Sequence, residues 1–216
     1  MSHLNGIVAV CLWIATVLVA AVLARQLLPD QRELGRKLVH IGTGAVIPIA
    51  WWFAIPAVLA IPFAVIVTLV TAINHQWRFV PAVEDVDRNS YGTIAYGMAI
   101  TTLLVLFWPE RADAVCSGVM VMAIGGGLAG LIGRAVSSPR WQLMGQTKSL
   151  AGTCTMAAAS LTVLFSVAVC TGIPLPWSNL VVLAAVATAL EQLSPAGIDN
   201  LTVPLATGLL WAYAVS

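Results

Sequence analysis

Four groups of polar residues interrupt an otherwise apolar chain, and each combines side chains suited to an anion or a metal ion. The first runs from Arg32 to His40. On a helix, Arg36 and His40 are four apart and share a face, with Lys37 alongside. Two cations and an imidazole at one helix entrance suit a phosphate, and equally suit anchoring of the helix at a membrane surface. The second group runs from Glu84 and Asp85 through Asp87 and Arg88 to Tyr91, Thr93 and Tyr96. Closely spaced carboxylates, Asp87 among them, suit Mg2+, which takes oxygen ligands and keeps several waters. A solvated acidic loop explains the same residues. The hydroxyls of Tyr91, Thr93 and Tyr96 stand where a substrate head group or a neighbouring helix would use them.

The third group is glycine-rich. Gly125-Gly126-Gly127 and Gly130 lead to Arg134, and Arg140, Lys148 and Ser149 follow. The run formally fits G-x-G-x-x-G, but no strand precedes it, which excludes a dinucleotide-binding βαβ unit. Gly126 and Gly130 also form a small-xxx-small pair for close helix packing. Backbone N–H groups together with Arg134 and Lys148 make a phosphate cradle, with Gly125, Gly127 and Ser149 beside it. In the fourth group, Glu191 lies at or just inside an apolar stretch, where an ionisable side chain is costly and marks function. Asp199 and Asn200 serve equally as metal ligands and as a cap for the helix that follows.

The elements that must position these groups are membrane helices. The 216 residues are 60% hydrophobic and 9% charged, with mean hydropathy +0.94, against about 25% charged residues in soluble domains. A net charge of +1 carries no basic footprint for nucleic acid. Cys11, Cys116, Cys154 and Cys170 lie inside apolar runs and imply neither a disulfide framework nor a zinc site. The uncharged stretches, split at the prolines near Ala54 and at Thr171–Pro176, predict eight helices: 6–27, 37–53, 55–74, 91–108, 113–133, 150–171, 179–193 and 201–215. Seven remain if one split is mistaken. The first reads as a retained helix, since no charge precedes Arg25 and the run is too long for a signal peptide.

The fold class is therefore an all-α integral membrane protein, one transmembrane domain over 1–216, with 1–31 a peripheral first helix and loop. Eight crossings put nine of the ten Lys and Arg residues on one side, with Arg111 opposite, and seven of the nine acids join them. Basic loops favour the cytoplasm, so both termini are expected outside it. Trp51, Trp52, Trp77, Trp108, Trp141 and Trp177 fall near helix ends, as an interfacial belt requires. No internal repeat of the transporter kind is evident.

Five motifs in order resemble the phytol kinase and dolichol kinase family, over about 32–204. They are Arg36-Lys37-x-x-His40-x-x-x-Gly44, Ser90-Tyr91-Gly92-Thr93, Gly-x-Gly-Leu-Ala-x-Leu-Ile-Gly-Arg134, Lys148-Ser149-x-x-Gly152 and Asp199-Asn200-Leu201-Thr202-Val203-Pro204. The family is related to phosphatidate cytidylyltransferases. The resemblance implies transfer of a phosphoryl group from CTP, with Mg2+, to a prenol such as phytol or geranylgeraniol. It implies that Arg134 and Lys148 grip the nucleotide phosphates, assisted by Arg36 and Lys37. Asp199, with Asn200, Glu191 or Asp87, would hold the metal, and His40 or Asp199 would act on the prenol hydroxyl.

The expected partners are the lipid alcohol, the nucleotide and membrane lipids, with a second copy of the chain as a further candidate. The expected location is a bacterial plasma membrane with the site loops cytoplasmic. The family pattern carries Gly-Asp-Gly where this chain reads Gly125-Gly126-Gly127, and an acidic residue where it has Ala151. Loss of a metal carboxylate at Gly126 is expected to depress turnover unless another carboxylate compensates. The competing readings are a cytidylyltransferase-like enzyme, which would release pyrophosphate, and a non-catalytic lipid-binding or transport protein.

Overall fold

The computed structural model describes residues 3–28, 30–77, 79 and 91–216, so Asp87 and its acidic neighbours lie outside the described residues. The chain runs as α1 (His3–Leu27), α2 (Arg32–Gly44), α3 (Val46–Trp52), α4 (Ala57–Trp77), α5 (Gly92–Phe107) and α6 (Ala112–Met120). A π-helical segment (Val121–Gly126) joins α6 to α7 (Gly127–Ala135). A hairpin of β1 (Arg140–Leu143) and β2 (Gln146–Ser149) then precedes α8 (Leu150–Thr171), α9 (Trp177–Leu193) and α10 (Asp199–Val215).

Because α2 and α3 follow one path, and α6, the π segment and α7 another, the eight predicted helices reappear as eight helical rods. Two internal details differ from expectation. The second rod is interrupted at Ala45, three residues before Pro48 removes a backbone donor. The fifth rod widens into the π turn, and the loop expected after it carries the two-stranded hairpin instead. Arg140 pairs with Ser149 and Leu143 with Gln146, so the tip is Met144-Gly145, both at positive φ (49° and 72°), as a two-residue hairpin turn needs. The expected splits hold: Ala54 adopts φ 48°, and Gly172, at φ 68°, closes α8.

Four helices, α1, α4, the continuous rod Ala112–Ala135 and α8, are long and apolar enough to cross a membrane. The rod Ala112–Ala135 is the axis of the bundle, 67% buried across its apolar window, whereas α4 is 6% and α1 11% buried. Around it Leu103, Met122, Met156, Leu164, Leu180, Val203 and Trp211 are fully enclosed. Large apolar side chains such as Leu12, Ile66, Leu69, Val105, Phe165, Val181 and Leu209 stand exposed around the outside. Lipid solvates such side chains as well as a protein interior does, so helix contacts here depend on close packing. Trp52, Trp77 and Trp177 are exposed near helix ends, as the belt expects. Trp108 departs from it: the ring is buried and its Nε1 donates to the Ile55 carbonyl at 2.8 Å, because the α5–α6 turn packs against the α3–α4 connection.

At one end of the bundle, Arg111 and Trp211 both donate to the Asp113 carboxylate, and Gly6 packs against Phe53 and Ile55. This closed end holds the start of α1 and the finish of α10. The other end holds the polar loops.

Candidate functional site

The polar end opens into one cleft of about 780 Å³, within the range of roughly 300–1,000 Å³ typical of small-molecule sites. Its walls come from the first turns of α2, the last turns of α7, the hairpin, the first turn of α8, the end of α9 and the start of α10. Alternation of crossings brings all of these segments to one end, so residues as distant as Arg36 and Asp199 face a common space.

On the first wall, α2 presents Arg36 and Lys37 on one turn and His40 on the next. The wider π turn redirects backbone carbonyls away from the helix axis, and two of them meet α2. Lys37 Nζ donates to the Gly126 carbonyl at 3.0 Å, and His40 Nε2 bonds the Met122 carbonyl at 3.1 Å. Since a carbonyl only accepts, Nε2 carries the proton in the neutral ring and Nδ1 is left as an acceptor. Glycine at residue 130 leaves room for Lys37 along α7, where a Cβ would stand 2.7 Å from Lys37 Cε and push the chain end aside.

Arg134 Nη2 donates to Glu33 Oε2 at 2.7 Å and Arg36 Nη2 to the same oxygen at 2.8 Å. Burial opposes ionisation of Glu33, but the two guanidiniums outweigh it and hold its pKa at about 2. Arg140 stands at the rim.

The second wall is acidic. Lys148 Nζ donates to Glu191 twice, to its carbonyl at 2.6 Å and to Oε1 at 2.7 Å. Gln192 Nε2 donates to Glu191 Oε2 at 2.8 Å and to Thr153 Oγ1 at 2.9 Å. Asp199 opens α10 beside this pair. Burial, with the Glu191 carboxylate nearby, pushes the Asp199 carboxyl above its usual range, although Lys148 and Lys37 pull the other way.

The expected residues separate into those the cleft gathers and those it does not. Arg36, Lys37, His40, Gly126, Arg134, Lys148, Ser149, Glu191, Asp199 and Asn200 line it. Ser149, however, caps α8 by accepting from Gly152 N and donates to the Gly133 carbonyl. The Leu150 and Ala151 N–H groups go to Pro139 O and Ser138 Oγ, so the helix-start N–H groups expected to cradle phosphate are already engaged. Gly125 packs on Met156 and Gly127 on Ile41, both behind the wall.

Asn200 Nδ2 donates to the Gly92 carbonyl at 2.9 Å and joins α10 to α5. Asp199 is the first helical residue rather than a cap; the cap position is Ile198. Tyr91 is exposed beside His75, Thr93 does not reach the cleft, and Tyr96 is buried with its ring 4.6 Å from His40 and its hydroxyl unpaired. Sequence reasoning missed Glu33 and Gln192. Glu33 showed only as a charge within a basic run, and Gln192 only as the neighbour of Glu191.

Among the described residues no three His, Cys, Asp or Glu side chains stand together as a metal site. The second wall nonetheless fits a hard cation. It offers two carboxylates, one with a raised pKa, and Gln192 Oε1 beside them is a buried oxygen without a donor.

The chain is 38% identical over 222 residues to a phytol kinase from Synechocystis sp., covering 96% of the chain and 95% of that protein. It is 29% identical over 199 residues to a protein described as probable phytol kinase 1, chloroplastic, from Glycine max, covering 82% of the chain and 65% of that protein. No family model matches the chain, and no solved structure matches it.

Proposed function

The chain belongs to the phytol kinase family, and from that premise we propose that it moves the terminal phosphoryl group of CTP to a prenol hydroxyl, phytol or geranylgeraniol being the class. The observation that carries the proposal is the division of charge across one cleft, with Arg36, Lys37 and Arg134 on one wall and Glu191 and Asp199 on the other. Phosphoryl transfer depends mainly on positioning and on stabilising charge spread over phosphate oxygens.

The cationic wall binds the triphosphate and stabilises the departing CDP. Glu191 and Asp199, with Gln192 Oε1, would hold Mg2+, which when bound supplies charge neutralisation to the phosphates. The prenol chain lies among the apolar helices with its hydroxyl at the floor of the cleft. There the Asp199 carboxylate or His40 Nδ1 accepts the hydroxyl proton as the prenol oxygen–phosphorus bond forms and the bond to the CDP oxygen breaks. The basic residues gathered at this end support a cytoplasmic cleft in a bacterial plasma membrane.

Gly126 bears on whether the natural chain turns over. A Cβ at this position meets the end of the Met122 side chain, which is flexible, and lies 3.9 Å from His40 Nε2. The position therefore accepts a side chain at the cost of moving one methionine. The proposal assigns the cation to the opposite wall, so the natural chain is expected to be active. The test is incubation of the purified protein and its Gly126→Asp variant with Mg2+, labelled CTP and a panel of prenols, diacylglycerol and phosphatidate. Label on a prenol with CDP released is the expected result. Pyrophosphate release would replace it with the cytidylyltransferase reading. Product from Gly126→Asp alone would mark Gly126 as inactivating, and product from neither protein would overturn kinase activity in favour of a lipid-binding role.

A further inference from the structure

Glu33 is not an ordinary surface anion. One of its oxygens, Oε2, receives guanidinium N–H groups from two helices, Arg36 at 2.8 Å on α2 and Arg134 at 2.7 Å on α7. Arg134 lies 101 residues away in sequence, and its side chain is 51% exposed, free to turn toward the cleft. Two guanidiniums converging on a single oxygen is the arrangement a phosphate oxygen also draws. Arg36 in addition keeps a buried Nε–H with no acceptor, so the wall holds an unsatisfied donor even with Glu33 in place.

We propose that Glu33 is a resident anion that holds the two cleft-lining guanidiniums, Arg36 and Arg134, and gives them up to the nucleotide, which sets how tightly the triphosphate binds. This rests on the nucleotide-binding reading above and adds a residue that reading does not use. Before the triphosphate arrives, the carboxylate keeps Arg36 and Arg134 from repelling each other and from scattering. Once it arrives, the carboxylate is a like charge beside the phosphates and opposes them. The second effect is the larger, because Arg134, 51% exposed, loses little when its bridge opens, whereas Glu33 stays ionised beside the phosphates at neutral pH. Glu33 is thus a positioning residue that acts through Arg36 and Arg134.

The test is calorimetric binding of CTP, of inorganic tripolyphosphate and of cytidine to the full chain in lipid nanodiscs without prenol. Wild type is compared with Glu33→Gln, and steady-state kinetics follow. Glu33→Gln is expected to bind CTP and tripolyphosphate more tightly, by about threefold to tenfold, and cytidine no differently. The KM for CTP should fall by a similar factor, with kcat changed less. A purely structural residue would lower the melting temperature without tightening either phosphate ligand. Unchanged or weaker binding of both phosphates, with wild type still binding CTP, overturns the proposal and leaves the kinase reading standing. Failure of both proteins to bind CTP overturns the two together. If Glu33→Gln does not fold, Glu33→Asp withdraws the charge by one methylene and should show a smaller gain of the same sign; no gain there overturns the proposal.

Discussion

On the wall made by α2 and α7, two guanidiniums share one carboxylate with Lys37 beside them, whereas on the wall made by β2, α9 and α10, one lysine faces two carboxylates. The two walls use the same side-chain types and differ in how completely the charges are matched. Arg36 retains an unpaired donor and Arg134 is half exposed, so the first wall has positive charge to offer an incoming anion. Lys148 is held twice by Glu191, so its charge is neutralised at home, and the residual charge of the second wall is the Asp199 carboxylate. A nucleotide triphosphate with its cation is the ligand that satisfies both walls at once. The comparison also demotes Lys148, which the sequence places among the phosphate-gripping residues, to a counter-charge for the acidic pair.

The largest expected effect is at Asp199. Asp199→Asn should lower prenol phosphorylation about 10²–10³-fold, measured as initial rate at saturating CTP and Mg2+. The same variant should be as stable as the natural chain or more so in metal-free buffer at neutral pH. The folded-state pKa of Asp199 is raised, so its contribution to stability is present below the unfolded carboxylate value and is lost as pH rises through the folded value. Removing the charge removes that loss. A large drop in melting temperature for Asp199→Asn would show the carboxylate to be structural and break the contrast between the walls.

Next comes Arg36. Arg36→Met should raise the KM for CTP about 10–100-fold, the value of losing charge-assisted hydrogen bonds to a phosphate, with a smaller change in kcat. If KM is unmoved, the first wall is a membrane anchor rather than a phosphate grip.

The smallest effect is thermal. Lys148→Met leaves Glu191 and Asp199 without their cation and should lower the melting temperature by about 5 °C in metal-free detergent, with much of the loss recovered on adding Mg2+. A loss that Mg2+ does not recover would count against a cation on the second wall.

The helices were legible because each is written locally. Apolar runs of spanning length, prolines near Ala54 and the Thr171–Pro176 turn predict eight rods, and eight rods stand among the described residues. Parity of crossing then puts the basic loops at one end without any knowledge of packing. The site was legible in part for the same reason: Arg36, Lys37, Arg134, Lys148, Glu191 and Asp199 are charged, and charge in an apolar chain has few places to go.

Pairing was not legible. The Glu33–Arg134 bridge joins residues 101 apart, and Gln192 reaches Thr153 across 39 residues. The π turn at Val121–Gly126 has no reliable pattern of its own, and the hairpin tip Met144-Gly145 is a weak turn signal within a polar loop.

Membrane insertion, the number of rods and the end at which the charges gather were thus determined by the sequence alone, since hydropathy and parity act residue by residue. Which charges neutralise one another and which remain for a ligand was decided only by the tertiary structure. A salt bridge depends on a few ångströms between side chains of different helices, and that distance exists only once the helices have packed.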